Sequence, residues 1–242
     1  MTIDFHMLFE KMISRRQLLY SFSLLSFLYP ILRIDSFVVA ENMRKDIEYP
    51  LTIDILKEAY WAEMTAKNHY DGYCQKALAQ NYPNIAYLFR VLSSSERIHA
   101  ENYQKLIKDL GSTIKKKRIP VSVADTKANL NTAAVKEMEK IEHFYPKILK
   151  DLSPESNDRA IIHCMYSWKS HKQHEEIIKN IKKYSGLFFK PLAKRIERMN
   201  PNYHVCEICG STVDEEPETP CDICNYPRSH YKKLERPILL TN

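Results

Sequence analysis

Apolar residues between Thr52 and about Asn81 recur at Leu56, Tyr60, Tyr70, Cys74 and Ala77, the three-and-four spacing of one helix face. Pro83 suits the first turn of a second helix. Its stripe runs through Ile85, Leu88, Leu92, Tyr103, Leu106 and Leu110 to Gly111, which is placed to end it. A third helix is predicted from about Asp125 to Asp151, with Leu130, Ala134, Met138, Ile141, Tyr145, Ile148 and Leu152 in heptad-like order. Ser153-Pro154-Glu155 reads as a cap and an N1 proline opening a fourth helix. That helix carries Ile161, Met165, Trp168, Ile178 and Ile181 to about Tyr184, before Gly186. No strand alternation interrupts this region. The pattern predicts an all-α fold, a four-helix bundle over residues 50–186 followed by a linker at 187–202.

Composition narrows the class. The chain has 242 residues, 44% of them hydrophobic, and only four glycines. Average glycine usage is about 7%, so a barrel, a sandwich or a Rossmann sheet is excluded for want of turns. Gly111 and Gly186 close helices; Gly72 falls inside the first one, where a kink or a close backbone contact would account for it. The net charge of +6 owes much to Lys115, Lys116, Lys117 and Arg118. With Pro120 nearby and no interleaved aromatics, this run predicts a solvated loop and no nucleic-acid partner.

The N-terminal residues 1–40 read as an address. Arg15 and Arg16 precede an apolar stretch, residues 18–34, and Val38-Val39-Ala40 offers small residues to a signal peptidase. The paired arginines resemble the twin-arginine class of export signal, which carries folded proteins to the periplasm or cell envelope. Retention of residues 18–34 as a membrane anchor is the alternative.

Candidate chemistry sits where the stripes turn polar. Glu63 lies on the first, Glu96 and His99 on the second, Glu137 on the third, and His171 and His174 on the fourth. Glu-x-x-His places a carboxylate and an imidazole one turn apart on one face. Unpaired buried carboxylates are costly and repel one another; a cation removes both costs. Carboxylate with imidazole suits iron, manganese or zinc. Cys74 and Cys164, on apolar faces, are expected to be packing residues.

Beyond the helices, Cys206-Glu-Ile-Cys209-Gly210 and Cys221-Asp-Ile-Cys224-Asn225 form two CxxC knuckles eleven residues apart. In each, two thiolates grip one metal while Gly or Asn bends the backbone back. Four sulfurs suit iron, a one-electron carrier, or zinc, a structural ribbon. A disulfide pair is the lesser alternative.

Taken together, Glu63, Glu96-x-x-His99, Glu137 and a last helix ending in His174 resemble the ferritin-like domain of rubrerythrins, as do Leu56–Tyr70, Ser94–Leu110 and Asn129–Pro146. Residues 203–234 resemble that family's rubredoxin-like module. The resemblance implies a ferritin-like bundle with two irons, an Fe(Cys)4 centre, a redox donor protein, hydrogen peroxide as substrate and a homodimer in which the ribbon of one subunit meets the bundle of another. Tyr70 and Tyr103 are candidate hydrogen-bond donors to bound oxygen species, or ordinary core aromatics. Two positions depart from the family. Lys140 stands one turn after Glu137 in place of a further Glu, and His171 replaces the Glu of the last Glu-x-x-His. An ammonium about 5 Å from a dication costs about 6–7 kcal/mol at an effective dielectric of about 20. Lys140 must therefore point away, lose its proton, or mark a site for a single metal. Glu175 is a substitute ligand if the last helix is rotated. A metal-binding protein with a zinc ribbon and no turnover, and a di-metal oxidase or oxygen sensor, are the alternative functions.

Overall fold

The structure is a computed structural model and describes residues 48–183 and 189–240. The expected export signal, Gly186 and the predicted helix end at Tyr184 lie outside the described residues. Two long helices, α1 (Pro50–Ala79) and α2 (Pro83–Asp109), form the first hairpin. The second pairs α3 (Thr126–Glu139) and its continuation α4 (Tyr145–Asp151) with α5 (Asp158–Lys183). A short helix, α6 (Phe189–Ile196), stands in the stretch expected to be linker. Then comes a three-stranded antiparallel sheet of β1 (His204–Cys206), β2 (Thr212–Val213) and β3 (Tyr231–Lys233), ordered β2-β1-β3. Its register sets His204 opposite Val213 and Cys206 opposite Tyr231. No helix among the described residues is long and apolar enough to cross a membrane.

Two apolar clusters fill the bundle. Leu56, Tyr103, Tyr145, Ile148, Leu152 and Cys164 pack together towards one end. Tyr70, Leu88, Leu92, Leu130, Ala134 and Ile178 pack towards the other. Each fully buried large side chain contributes roughly 1.5–3 kcal/mol. Along every long helix the predicted polar positions fall between residues of the two clusters, so the bundle carries a charged layer between two greasy plugs.

Both hairpin helices begin with proline and lack a side-chain cap of their own. Distant carboxylates supply it. Glu155 accepts from the backbone N–H groups of Leu51 at 2.9 Å and Thr52 at 2.7 Å. Glu197, just beyond α6, accepts from those of Asn84 and Ile85. Such contacts satisfy orphan donors and complement the helix dipole. Ser153-Pro154-Glu155 therefore does not open α5, contrary to the sequence expectation. Ser153 donates to Lys150 O at 2.7 Å, Glu155 turns to α1, and Asn157 Oδ1 caps α5 through the Ala160 N–H at 3.0 Å. Asp125 caps α3 as its position suggested, through the Ala128 N–H at 2.8 Å.

The third predicted helix is continuous in course but contains a π turn, Lys140–Phe144. Met138 and Met165, expected on inner stripes, are exposed. Met138 adjoins the inward Glu137, and successive side chains lie about 100° apart around the axis. Gly72 also finds its reason. A Cβ there would stand 2.7 Å from Val123 Cγ2, so the glycine makes room for the loop crossing α1.

Candidate metal centre

All six predicted bundle ligands are brought together and buried. Glu63, Glu96, His99 and His171 form one group and Glu96, Glu137, His171 and His174 another, each offering one donor atom apiece within 4.8 Å of the rest. Glu96 and His171 belong to both. Glu175 belongs to neither, and the rotation that would have recruited it is not seen.

Three further side chains reach the carboxylates. Tyr70 donates its O–H to Glu137 Oε1. Tyr145 donates to Glu63 Oε1, and its hydroxyl lies 3.1 Å from that of Tyr103, which donates to Ser167 Oγ at 2.7 Å. Tyr103 thus meets the site only through Tyr145. Sequence reasoning took Tyr145 for a core residue, since eight residues of plain α-helix would set it about 80° from Glu137 around the axis. The π turn absorbs one residue and brings the two nearly into line. Lys140 points inward: its Nζ pairs with Glu63 Oε2 and lies 3.4 Å from both Glu96 Oε2 and His171 Nε2.

The electrostatics follow from this crowding. Burial opposes the charge on Lys140, but Glu63, Glu96 and Glu137 outweigh it and raise its pKa. Burial likewise works against an ionised Glu63, yet Lys140 and His171 hold its carboxyl well below the usual range; His171 does the same for Glu137. Glu96 is the one left over: burial and then the Glu63 charge push it well above. Burial keeps His99 and His174 below the ordinary imidazole value. Elsewhere, burial pushes the thiols of Cys74 and Cys164 up to about 11 and about 12, as packing residues rather than nucleophiles.

The donors fit a cation. Glu96 Oε1 and His174 Nδ1 are buried without a hydrogen-bond partner, and both belong to the second group. A buried carboxylate oxygen without a partner, in one group with an imidazole nitrogen that Glu137 Oε2 approaches only to 3.5 Å, is what a divalent ion relieves.

In the ribbon the four cysteines are unbridged and buried. Sulfurs of Cys206 and Cys224 stand 3.7 Å apart, those of Cys209 and Cys221 3.5 Å. A tetrahedral ion with metal–sulfur bonds of about 2.3 Å has edges of about 3.8 Å. The spacing fits one metal and is longer than any disulfide bond.

The first knuckle docks on the bundle ligands. His99 turns Nδ1 to Glu96 Oε2 at 3.1 Å and Nε2 to the carbonyl of Cys209, also at 3.1 Å. The next carbonyl, of Gly210, accepts from Ser95 Oγ at 2.7 Å and Ser170 Oγ at 2.9 Å. His174 Nε2 faces the Thr212 hydroxyl at 3.4 Å. Each histidine thus keeps Nδ1 for the core and Nε2 for the ribbon, the outer contact fixing the tautomer. Gly210 allows this approach, with φ +79° and a would-be Cβ 2.5 Å from His99 Nε2. These contacts form within a single chain.

Such a bundle, with a carboxylate–imidazole centre and a docked four-cysteine ribbon, is a ferritin-like non-haem metalloprotein. The sequence profile of the rubrerythrin family matches residues 54–182, and the chain belongs to that family. It is accordingly a rubrerythrin-like non-haem iron protein with a four-cysteine site. Rubrerythrin-2 of Clostridium acetobutylicum is 26% identical over 188 residues, covering 77% of this chain and 98% of its own. Nigerythrin of Nitratidesulfovibrio vulgaris is 24% identical, covering 74% and 85%. A structure of nigerythrin in a mixed-valence state superposes with a TM-score of 0.65 at 23% identity, over 76% of this chain and 86% of that one. A bacterioferritin from Desulfovibrio desulfuricans does so at 0.55 and 20%, over 62% and 88%. The structural likenesses show the fold.

Proposed function

We propose that the chain is an oxidoreductase that takes single electrons from a donor protein at the four-cysteine site and delivers them to the bundle, where hydrogen peroxide is reduced to water. The observation that carries this is the hydrogen bond from His99 Nε2 to the Cys209 carbonyl, which with the contact from His99 Nδ1 to Glu96 Oε2 links the bundle's donor layer to a cysteine of the ribbon. Iron at the two sites would supply the redox chemistry, two electrons and two protons breaking the O–O bond of each peroxide to release two waters. The protein's own part is to admit the substrate and hold protons. A cavity of about 430 Å³ opens between α1 and α3, and Tyr70, Tyr73, Lys140 and Phe144 are among its walls. Tyr70 and Lys140, each bonded to a ligand carboxylate, present an O–H and an ammonium at the inner end of that route. Tyr145, backed by Tyr103, holds a second hydroxyl on Glu63. A homodimer can make the same ribbon–bundle contact within or between its subunits. Residues 1–40 are proposed to direct export to the periplasm or cell envelope, with residues 18–34 as a retained anchor if the signal is not cleaved.

Lys140 favours one second reading, a metal-binding protein with a structural zinc ribbon and no turnover, because its ammonium occupies carboxylates that a working centre would offer to metal. An absorption spectrum with metal analysis, followed by peroxide addition to the reduced protein, separates the two. Iron–thiolate colour that bleaches on reduction and returns with peroxide supports the oxidoreductase. A colourless protein with zinc in the ribbon and no peroxide-dependent reoxidation refutes it.

A further inference from the structure

We propose that the bundle binds one metal ion per chain and that the Lys140 ammonium stands permanently in the place of a second. The inference rests on the bundle being a metal centre, and it adds how many ions that centre takes and why. Of the four donors in the first group, three are spent on Lys140, which pairs with Glu63 Oε2 and sits 3.4 Å from Glu96 Oε2 and from His171 Nε2. The other oxygen of Glu63 takes the Tyr145 O–H and faces His171 Nε2 at 3.2 Å. No atom of Glu63 is left for an ion. The second group differs in what engages it: Glu137 takes the Tyr70 O–H and faces His171 Nδ1 at 2.6 Å and His174 Nδ1 at 3.5 Å, a neutral hydroxyl and two fellow donors rather than an ammonium, and the buried Glu96 Oε1 has no hydrogen-bond partner.

Charge leads to the same division. The layer holds three carboxylates, Glu63, Glu96 and Glu137. One dication and one ammonium neutralise them. Two dications and an ammonium would leave a surplus of two positive charges in a layer whose carboxylates and imidazoles are all buried, a situation proteins avoid. Lys140 is also built in rather than merely admitted. The π turn begins at it, and it is only 9% exposed despite its length. The ion is then held by Glu96, Glu137, His171 and His174, a two-carboxylate, two-imidazole set suited to iron, manganese or zinc. His99 keeps its place as the link to the ribbon.

The test is a metal count on the full chain loaded anaerobically with Fe(II). Ions released by a mercurial thiol reagent are assigned to the ribbon and the remainder to the bundle. One bundle ion is expected in the parent. Lys140→Glu, which exchanges the ammonium for a carboxylate, is expected to double that to two. Lys140→Met, which removes the charge and keeps the bulk, is expected to rise above one as well. Two bundle ions in the parent overturn the proposal while leaving the metal centre standing. One ion in the parent and in both variants also overturns it, since Lys140 would not be what excludes the second. No bundle ion in a folded parent whose ribbon is filled removes the metal centre itself. Should Lys140→Glu fail to fold by circular dichroism, the parent count and Lys140→Met decide the matter.

Discussion

Replacing Gly210 by alanine should pry the ribbon off the bundle. Two costs arise, and they can be separated. The residue sits at φ +79°, where a Cβ costs about 1–2 kcal/mol whatever surrounds it. That Cβ would also lie 2.5 Å from His99 Nε2 and 2.7 Å from Ser95 Oγ, against 3.4 Å or more for ordinary contact. Neither neighbour can retreat, because His99 is tied to Glu96 and both are fully packed within α2. About 0.9 Å of separation must open, enough to break the bonds from His99 to Cys209 O and from Ser95 and Ser170 to Gly210 O. Each is worth about 1 kcal/mol net, so docking loses roughly 2–3 kcal/mol beyond the strain. Gly111 provides the control, since it stands at φ +80° with nothing within 4 Å of a would-be Cβ. Gly111→Ala should show the strain alone. Thermal unfolding of the metal-loaded protein should place Gly210→Ala below Gly111→Ala by about 4–12 °C, taking about 2–4 °C per kcal/mol for a chain of this size. Peroxide-driven reoxidation of the ribbon should also slow in Gly210→Ala only. Equal midpoints and equal rates in the two variants would refute the docking argument.

Glu197→Ala removes the acceptor for the first N–H groups of α2 and should cost about 1–2 kcal/mol, read as a lower urea midpoint at unchanged slope; a midpoint equal to the parent's counts against the cap. His163, in α5 and outside the metal layer, is held below its ordinary value of 6.5 by burial, with Arg159 and Lys105 adding to the effect. The unfolded chain therefore takes up that proton first as pH falls, so this contribution is complete above about pH 6.5 and is lost as the pH drops through the folded value. Urea midpoints at pH 7.5 and 5.5 should differ less in His163→Gln than in the parent, and an undiminished difference shows that other groups are responsible. Changing Arg15 and Arg16 together to lysine should leave the protein in the cytoplasmic fraction; continued export would dispose of the twin-arginine assignment.

The bundle and its ligand layer were legible because a polar residue on an apolar stripe stands out in one dimension. Six such residues on four stripes can be placed at one level by counting from the helix ends. The ribbon was legible for a similar reason, its knuckles being local in sequence. Tyr145 was not, because it looks like any core aromatic until the π turn rotates it onto Glu63. Lys140 announced a conflict with a metal but not its outcome, which depends on where Glu63 and Glu96 lie on other helices. Glu155 was mistaken for the start of a helix because its true partner, the start of α1, is about a hundred residues away. Gly72 needed Val123 from a loop that carries no periodicity at all. Local patterns show through the chain; partners chosen across it do not.

The remote carboxylates at the two helix starts have a consequence for the order in which the molecule is made. The hairpin of α1 and α2 leaves the ribosome with both proline-led ends open, and the groups that close them, Glu155 and Glu197, follow 104 and 113 residues later. Contacts of such separation form late, after the chain between them has been confined. The hairpin is therefore complete in sequence at Asp109 while both of its caps are still to be made, and its second start is closed only when the segment leading into the ribbon arrives.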